Sequence, residues 1–292
     1  QFQGRISTIS RAVMILGFNT VRNLAVTLML VEHLQNRSQA AHMREEVLAS
    51  FMIGQIGKKL APKFALKAGE EAFICAMFHN LGRLLVTYYF HEESLEIRKQ
   101  VQGGNSEEQA SRSVLGVPFS FIGYSVAKAW NLPAVIQHSM TRIGDGAPSV
   151  PRTDDDKLKL LSNTANELFV AISEPSPSER QKKLDTLHAR YRDALPLTIK
   201  QLQEIVEASV TELVAEAPYY GIQPGRSELL RQVRQNASGK EVPEGIAPPS
   251  GPRTAELELA TLSPPTSNGT HDIEATLTAG IQDITNTLVE QF

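Results

Sequence analysis

The sequence predicts an all-α protein, and three observations carry that expectation. Apolar residues recur three and four apart through most of the first 235 residues, as one face of a helix requires. No stretch alternates apolar and polar residues long enough to make a strand. The breaks between apolar runs fall at glycine, proline and capping residues, the ordinary punctuation of helical chains.

Taken in order, Ser10 to Leu34 places Val13, Leu16, Val21, Leu24, Leu28 and Val31 on a broad apolar face. The face is broken at Gly17, where one helix can end, and Asn19 or Thr20 can cap the next. His42 to Leu60 reads as a helix with Val47, Phe51 and Ile56 inward, stopped by Pro62. Glu70 to Tyr89 is apolar nearly all round, which predicts one continuous, central, buried helix. Helices over Glu107 to Leu115 and Phe119 to Trp130 follow, and Pro133 is expected as the first residue of a helix through Met140.

A loop rich in Gly and Pro, Gly144 to Pro151, leads to Thr153 and three acids, Asp154 to Asp156, suited to a first helical turn. Leu158, Leu161, Ala165, Leu168 and Ile172 continue that helix's stripe. Another helix starts at Ser178 with Leu184, Leu187, Tyr191 and Leu195, and Thr198 with Gln201 forms a capping box before Leu202, Ile205 and Leu213. From Asn236 to Thr270 the composition turns to Pro, Gly, Ser and Thr, too poor in large apolar residues to offset the entropy of ordering, and reads as a flexible linker. A last helix from about His271 carries Ile273, Leu277, Ile281, Ile284 and Leu288, a seam suited to pairing with a second copy.

Bulk properties narrow the function. A net charge of −3 gives no general attraction to nucleic acid or anionic lipid. No apolar run approaches the roughly 20 residues a membrane helix needs. The single cysteine, Cys75, cannot close an internal disulfide, which favours a reducing, cytoplasmic setting. The chain opens on Gln1 and closes within an apolar pattern, so it reads as cut at both ends. Neither a Gly-rich phosphate loop nor a Gly-X-Ser-X-Gly elbow is present.

The stretch with the most chemical content is Ala76-Met77-Phe78-His79-Asn80-Leu81-Gly82-Arg83. A histidine beside an acid lets imidazole and carboxylate meet one divalent cation. Here the second residue is Asn80, which keeps a carbonyl oxygen but loses the charge that holds a hard cation. On an apolar helix His79 reads as a core histidine bonded to a backbone carbonyl or a side chain; a residual ligand or effector contact is the functional alternative. Asn80 is expected to satisfy a nearby loop or cap. His33, His42 and His138 read as scattered surface residues. Trp130, the only tryptophan, and Pro133 form a structural anchor or a partner contact. Lys58, Lys59, Lys63 and Lys67 read as a solvated basic face.

The phrases RISTISRAVMILG (Ile6 to Gly17 at its core), EEAFICAMFHNLGRLL and LGVPFSFIGYSVAKAWNLPAVI, in that order and spacing, resemble the HDOD domain of bacterial signalling proteins. That domain is an all-helical relative of the HD metal phosphohydrolases. The resemblance covers Ile6 to Met140, with the family's N-terminal helices missing. It implies an HDOD domain over 1–145, accessory helices over 146–235 packing on it, the linker over 236–270, and a connector helix over 271–292. The connector resembles that of a subgroup in which a GAF sensor domain follows, here beyond Phe292.

The resemblance also implies a non-enzymatic bacterial signalling module that binds a protein partner, with neither cofactor nor metal. His79 and Asn80 are then a vestigial pair. The histidine of an earlier helix falls near Ala49, and the one that relatives carry between two glycines falls at Phe119, between Gly116 and Gly123. A homodimer through 273–288 fits the same reading, with no nucleic acid and no membrane. Two alternatives stay open: a divergent metal-dependent HD phosphohydrolase or phosphodiesterase using His79, and a nucleotide-binding receptor without turnover.

Overall fold

The computed structural model describes residues 41–144, 146–216 and 227–238. All belong to the first of two compact units, Gln1–Glu241; the second is Val242–Phe292. The expected helices before residue 41, most of the linker and the 273–288 seam lie outside the described residues. Within these, every element is helical: α1 (Ala41–Leu60), a short 3-10 turn (Ala61–Phe64), α2 (Gly69–Phe78), α3 (Leu81–Tyr89), α4 (His91–Gln102), α5 (Glu107–Leu115) and α6 (Phe119–Ala129). They continue through α7 (Ala134–Ser139), α8 (Asp154–Ile172), α9 (Pro177–Tyr191), α10 (Ile199–Glu216) and α11 (Glu228–Ser238).

The central helix is α1. Every residue from Val47 to Gly57 is buried, because α2, α8 and α10 enclose it on different sides. Two glycines let α2 approach. A Cβ on Gly57 would lie 2.5 Å from that of Ala76, and one on Gly54 would lie 2.8 Å from the Phe73 ring. Gln55, fully buried, donates from Nε2 to Glu216 of α10 at 2.6 Å. Lys58 meets Glu212 at 2.6 Å, and Lys59 pairs with the same carboxylate. These two lysines were expected on a solvated face; they instead tie α1 to α10, because Glu212 and Glu216 arrive from the far end of the chain.

The predicted continuous helix from Glu70 to Tyr89 is in fact two. It breaks at His79 and Asn80, where Asn80 leaves helical geometry with φ −105° and ψ 19°. The apolar run hides the break, since its cause is contact with α6 and α8 rather than local propensity. α4 was not anticipated: it buries only Ser94 and Ile97, too narrow a stripe to read by periodicity.

Turn chemistry explains the other boundaries. Ser106 with Gln109, Thr153 with Asp156 and Thr198 with Gln201 exchange the paired hydrogen bonds of capping boxes. Asn131 closes α6 in the left-handed region at φ 51°, with Leu132 N–H reaching Ala127 O and Asn131 N–H reaching Lys128 O. That is a Schellman ending, for which asparagine is the usual substitute for glycine. Pro133 therefore sits at the N-cap of α7 rather than at its first helical position. α9 begins at Pro177, one residue before the expected Ser178, and α11 runs to Ser238, into the expected linker.

Candidate functional site

His79 and Asn80 lie at the break between α2 and α3, covered by the C-terminal end of α7, the loop after it and the middle of α8. His79 is 3% exposed. Its Nδ1 donates to the carbonyl of Ser139 at 2.6 Å, so Nδ1 carries the proton and Nε2 is left as a bare acceptor. That Nε2 is buried without a hydrogen-bond partner. Ser139 is itself held, its hydroxyl donating to Ile136 O at 2.7 Å and to Cys75 O at 3.3 Å. Cys75 is an inert neighbour: burial pushes its thiol up to about 12.

Asn80 is equally committed. Its Nδ2 donates to Asn166 Oδ1 on α8 at 2.6 Å, and its Oδ1 accepts from Arg142 at 3.2 Å. The expectation of a loop contact for Asn80 holds through Arg142. Burial first, and then the Arg142 guanidinium, hold His79 well below its ordinary value of 6.5; the Ser139 bond opposes this and Arg83 adds to it.

The depression has a sign that can be tested. His79 stays neutral in the fold but takes a proton below about pH 6.5 in the unfolded chain. Its contribution to stability is therefore complete above that pH and is lost as the pH falls. The slope reaches at most about 1.4 kcal/mol per pH unit. Urea midpoints at about pH 7.5 and about pH 5.5 should differ more in the wild type than in His79→Gln. Equal differences would mean that His79 titrates normally inside the fold.

Two arginines and a glutamate complete the constellation. Arg83 Nε lies 3.2 Å from Glu107 Oε1 and 3.9 Å from Glu46, while Arg142 lies 3.5 Å from the other Glu107 oxygen. The Arg83–Glu107 pair is an ion pair by distance but not a hydrogen bond, because its angle is poor and Arg83 Nε is left unpartnered. Burial alone would lower Arg83; Glu107 and Glu46 outweigh it and raise the value. Arg142 is lowered by burial, with Arg83 adding to that and Glu107 opposing it. Beside this group, a cleft of about 20 Å³ opens between the starts of α5 and α6, lined in part by Glu107, Glu108, Ser111, Phe119, Ser120 and Arg142.

The loop that carries Arg142 is held from both sides. Asn163 of α8 donates to Thr141 O at 3.0 Å and accepts from Ile143 N–H at 3.0 Å. Arg190 of α9 donates from Nε to Gly146 O, from Nη2 to Ile143 O and Gly144 O, and from Nη1 to both Glu167 oxygens at 2.7 and 2.8 Å. Tyr191 donates to the same carboxylate at 2.8 Å.

Ala49 and Phe119 are both in the apolar core, 6% and 7% exposed, and offer no ligand atom. The backbone of Phe119 instead packs on Gly82, where a Cβ would fall 1.9 Å from its carbonyl oxygen. Trp130 and Pro133 form the turn between α6 and α7, and among the described residues no hydrogen bond joins them to the His79 pair. Trp130 is half-buried, with its indole N–H unpartnered. His138 is exposed, facing Asp155 at 3.8 Å. Among the described residues, no three His, Cys, Asp or Glu side chains come together as a metal would need. None of the described helices is long and apolar enough to cross a membrane.

Arg83, Arg142, Glu107 and Asn166 were not anticipated. Polar Asn163 and Asn166 on the core stripe of α8, and an arginine two residues after buried Leu81, were the signals that could have found them.

The family comparison agrees with this architecture. The HDOD domain family matches residues 1–144. The solved structure of a candidate phosphohydrolase from Shewanella amazonensis SB2B is similar in fold, with a TM-score of 0.51 at 19% identity over 78% of each chain. No curated protein matches the sequence. Residues 1–144, which bring His79, Asn80, Arg83, Glu107 and Arg142 to one site, are an HDOD domain.

Proposed function

We propose that this chain is a non-enzymatic signalling module of a bacterial cytoplasm, whose helical body binds a protein partner under the control of a downstream sensor domain. What supports the non-enzymatic part is the commitment of the donor atoms at His79 and Asn80. The imidazole N–H is spent on Ser139 O, the amide on Asn166, and the amide oxygen on Arg142. The ligand atom left without a hydrogen bond, His79 Nε2, sits in the field of two guanidinium groups, which repel a dication. Ala49 and Phe119 add apolar volume where further ligands would have to stand.

Partner binding rests on the family resemblance, which favours it over a nucleotide-binding receptor without turnover. In this reading the 273–288 seam couples sensor to body by changing its pairing.

Metal content is the direct test. Purified protein, incubated with manganese, iron(II) or zinc and desalted, should retain far less than one equivalent and should not hydrolyse simple phosphodiesters. Stoichiometric metal that disappears in His79→Ala would overturn the proposal. The partner is sought by crosslinking the full-length protein in cells, and a partner that depends on the described helices supports this reading.

A further inference from the structure

α11 lies across a trough formed by α1, α8 and α10. It ends at Ser238, the first unit ends at Glu241 and the second begins at Val242, so the chain that enters the second unit leaves the body through α11. Its hold on the body is narrow. Of the side chains described in it, Leu230 and Val233, three apart, are the buried ones, at 4% and 0% exposure. By contrast, α10 beside it buries a stripe from Leu202 to Leu213. The Glu228–Arg231 ion pair, at 2.6 Å, lies within α11 and does not tie it to the body.

Each end of α11 has one tether. The Ser227 hydroxyl accepts from Leu230 N–H at 3.1 Å, as an N-cap, and donates to Glu45 of α1 at 2.6 Å. Asn236 donates to the carbonyls of Ile172 at 2.8 Å and Glu174 at 3.3 Å, at the end of α8. Glu45 and Asn236 are half-buried, so water can take over both tethers when α11 leaves.

Two buried side chains and two exchangeable tethers are thus set against the entropy of ordering a whole helix, and a helix of 11 residues is marginal by itself. The body does not need α11 to stay together. α1 is joined to α10 through Gln55–Glu216 and Lys58–Glu212, and it packs directly on α8.

We propose that the trough between α1, α8 and α10 is a docking site for an amphipathic helix, and that α11 is a releasable strap occupying it. The seated helix states the chemistry of the incoming one. It needs two aliphatic side chains three apart for the trough, a hydroxyl at its N-cap for Glu45, and a side-chain amide for the end of α8. The proposal rests on the partner-binding reading for its natural ligand alone. Strap and trough are tested with this chain's own helix, so failure here is distinguishable from failure to find a cellular partner.

Hydrogen exchange of the full chain, read by mass spectrometry, should show the amides of residues 229–238 exchanging about a hundredfold or more faster than those of 47–57. Val233→Asp should remove the remaining protection of α11 and leave that of α1 unchanged. A labelled peptide of residues 227–238 should then bind the Val233→Asp protein at least about tenfold more tightly than wild type. In the wild type the tethered strap competes at an effective concentration on the order of 1 mM.

If Val233→Asp also strips α1 of protection, the milder double variant Ser227→Ala with Asn236→Ala decides in its place, since it removes the tethers and keeps Leu230 and Val233. It should speed exchange of α11 about tenfold with α1 unchanged, the scale of two lost hydrogen bonds, and bind the peptide more tightly than wild type. Exchange of α11 at the rate of α1, or loss of α1 protection in both variants, makes α11 part of the core and overturns the strap. Peptide binding that is equal in wild type and variant, or absent from both, overturns the docking site.

Discussion

Gly82→Ala should destabilise the protein by about 3 kcal/mol or more, the upper end of what overpacking costs. The added Cβ would fall 1.9 Å from the Phe119 carbonyl oxygen and 2.9 Å from Gly123 N. Both atoms are backbone, so no side chain can rotate away, and α3 must separate from α6. Arg83 is the next residue and moves with α3, so the site should loosen with the fold. The check is a urea unfolding curve, with Gly69→Ala as control, because a Cβ there meets only Lys58 Cγ, at an ordinary contact distance of 3.5 Å. Equal losses in the two variants would show that α3 and α6 can part to admit a methyl group at little cost.

Arg190→Ala should lose about 2–4 kcal/mol, as expected for breaking a partly buried charge pair and stripping several carbonyls of their donor. The side chains of Arg190 and Glu167 are 17% and 30% exposed, so solvent screens them only in part. Lysine should recover less than half of the loss, since a single ammonium cannot reproduce a planar fork aimed at two carboxylate oxygens and three carbonyls. Removing the clamp also frees the loop that presents Arg142, although Arg190 makes no contact with His79. Unfolding midpoints of the Ala and Lys variants provide the measurement. A loss below about 1 kcal/mol would reduce the clamp to an ordinary surface pair.

The helical architecture was legible because its cause is local. Leu158, Leu161, Ala165, Leu168 and Ile172 are spaced to share one face of a helix, and all are buried in α8. Thr198 and Gln201 announce a helix start from four residues of sequence, and the predicted cap is there. α4 was missed because Ser94 and Ile97 are too few to show a period. The break at Asn80 was missed for a different reason. Its causes are Asn166, far along the chain, and the close approach of Gly82 to Phe119.

The candidate site divides in the same way. His79 was found because a histidine in an apolar helix is conspicuous, and a backbone carbonyl or a neighbouring side chain was the expected partner. That the carbonyl belongs to Ser139, and that this leaves Nε2 bare, depends on how α7 ends. Arg83, Glu107 and Arg142 lie on three separate segments, and nothing in their spacing brings them together.

The sequence alone determined that this protein is helical and where its chemistry was to be sought, because periodicity, caps and the His79-Asn80 pair are properties of neighbouring residues. Only the tertiary structure decided what that pair bonds to. Charge and hydrogen bonding depend on distance in space, and the groups that set them, Arg142, Asn166 and the Ser139 carbonyl, come from α7, α8 and the loop between them.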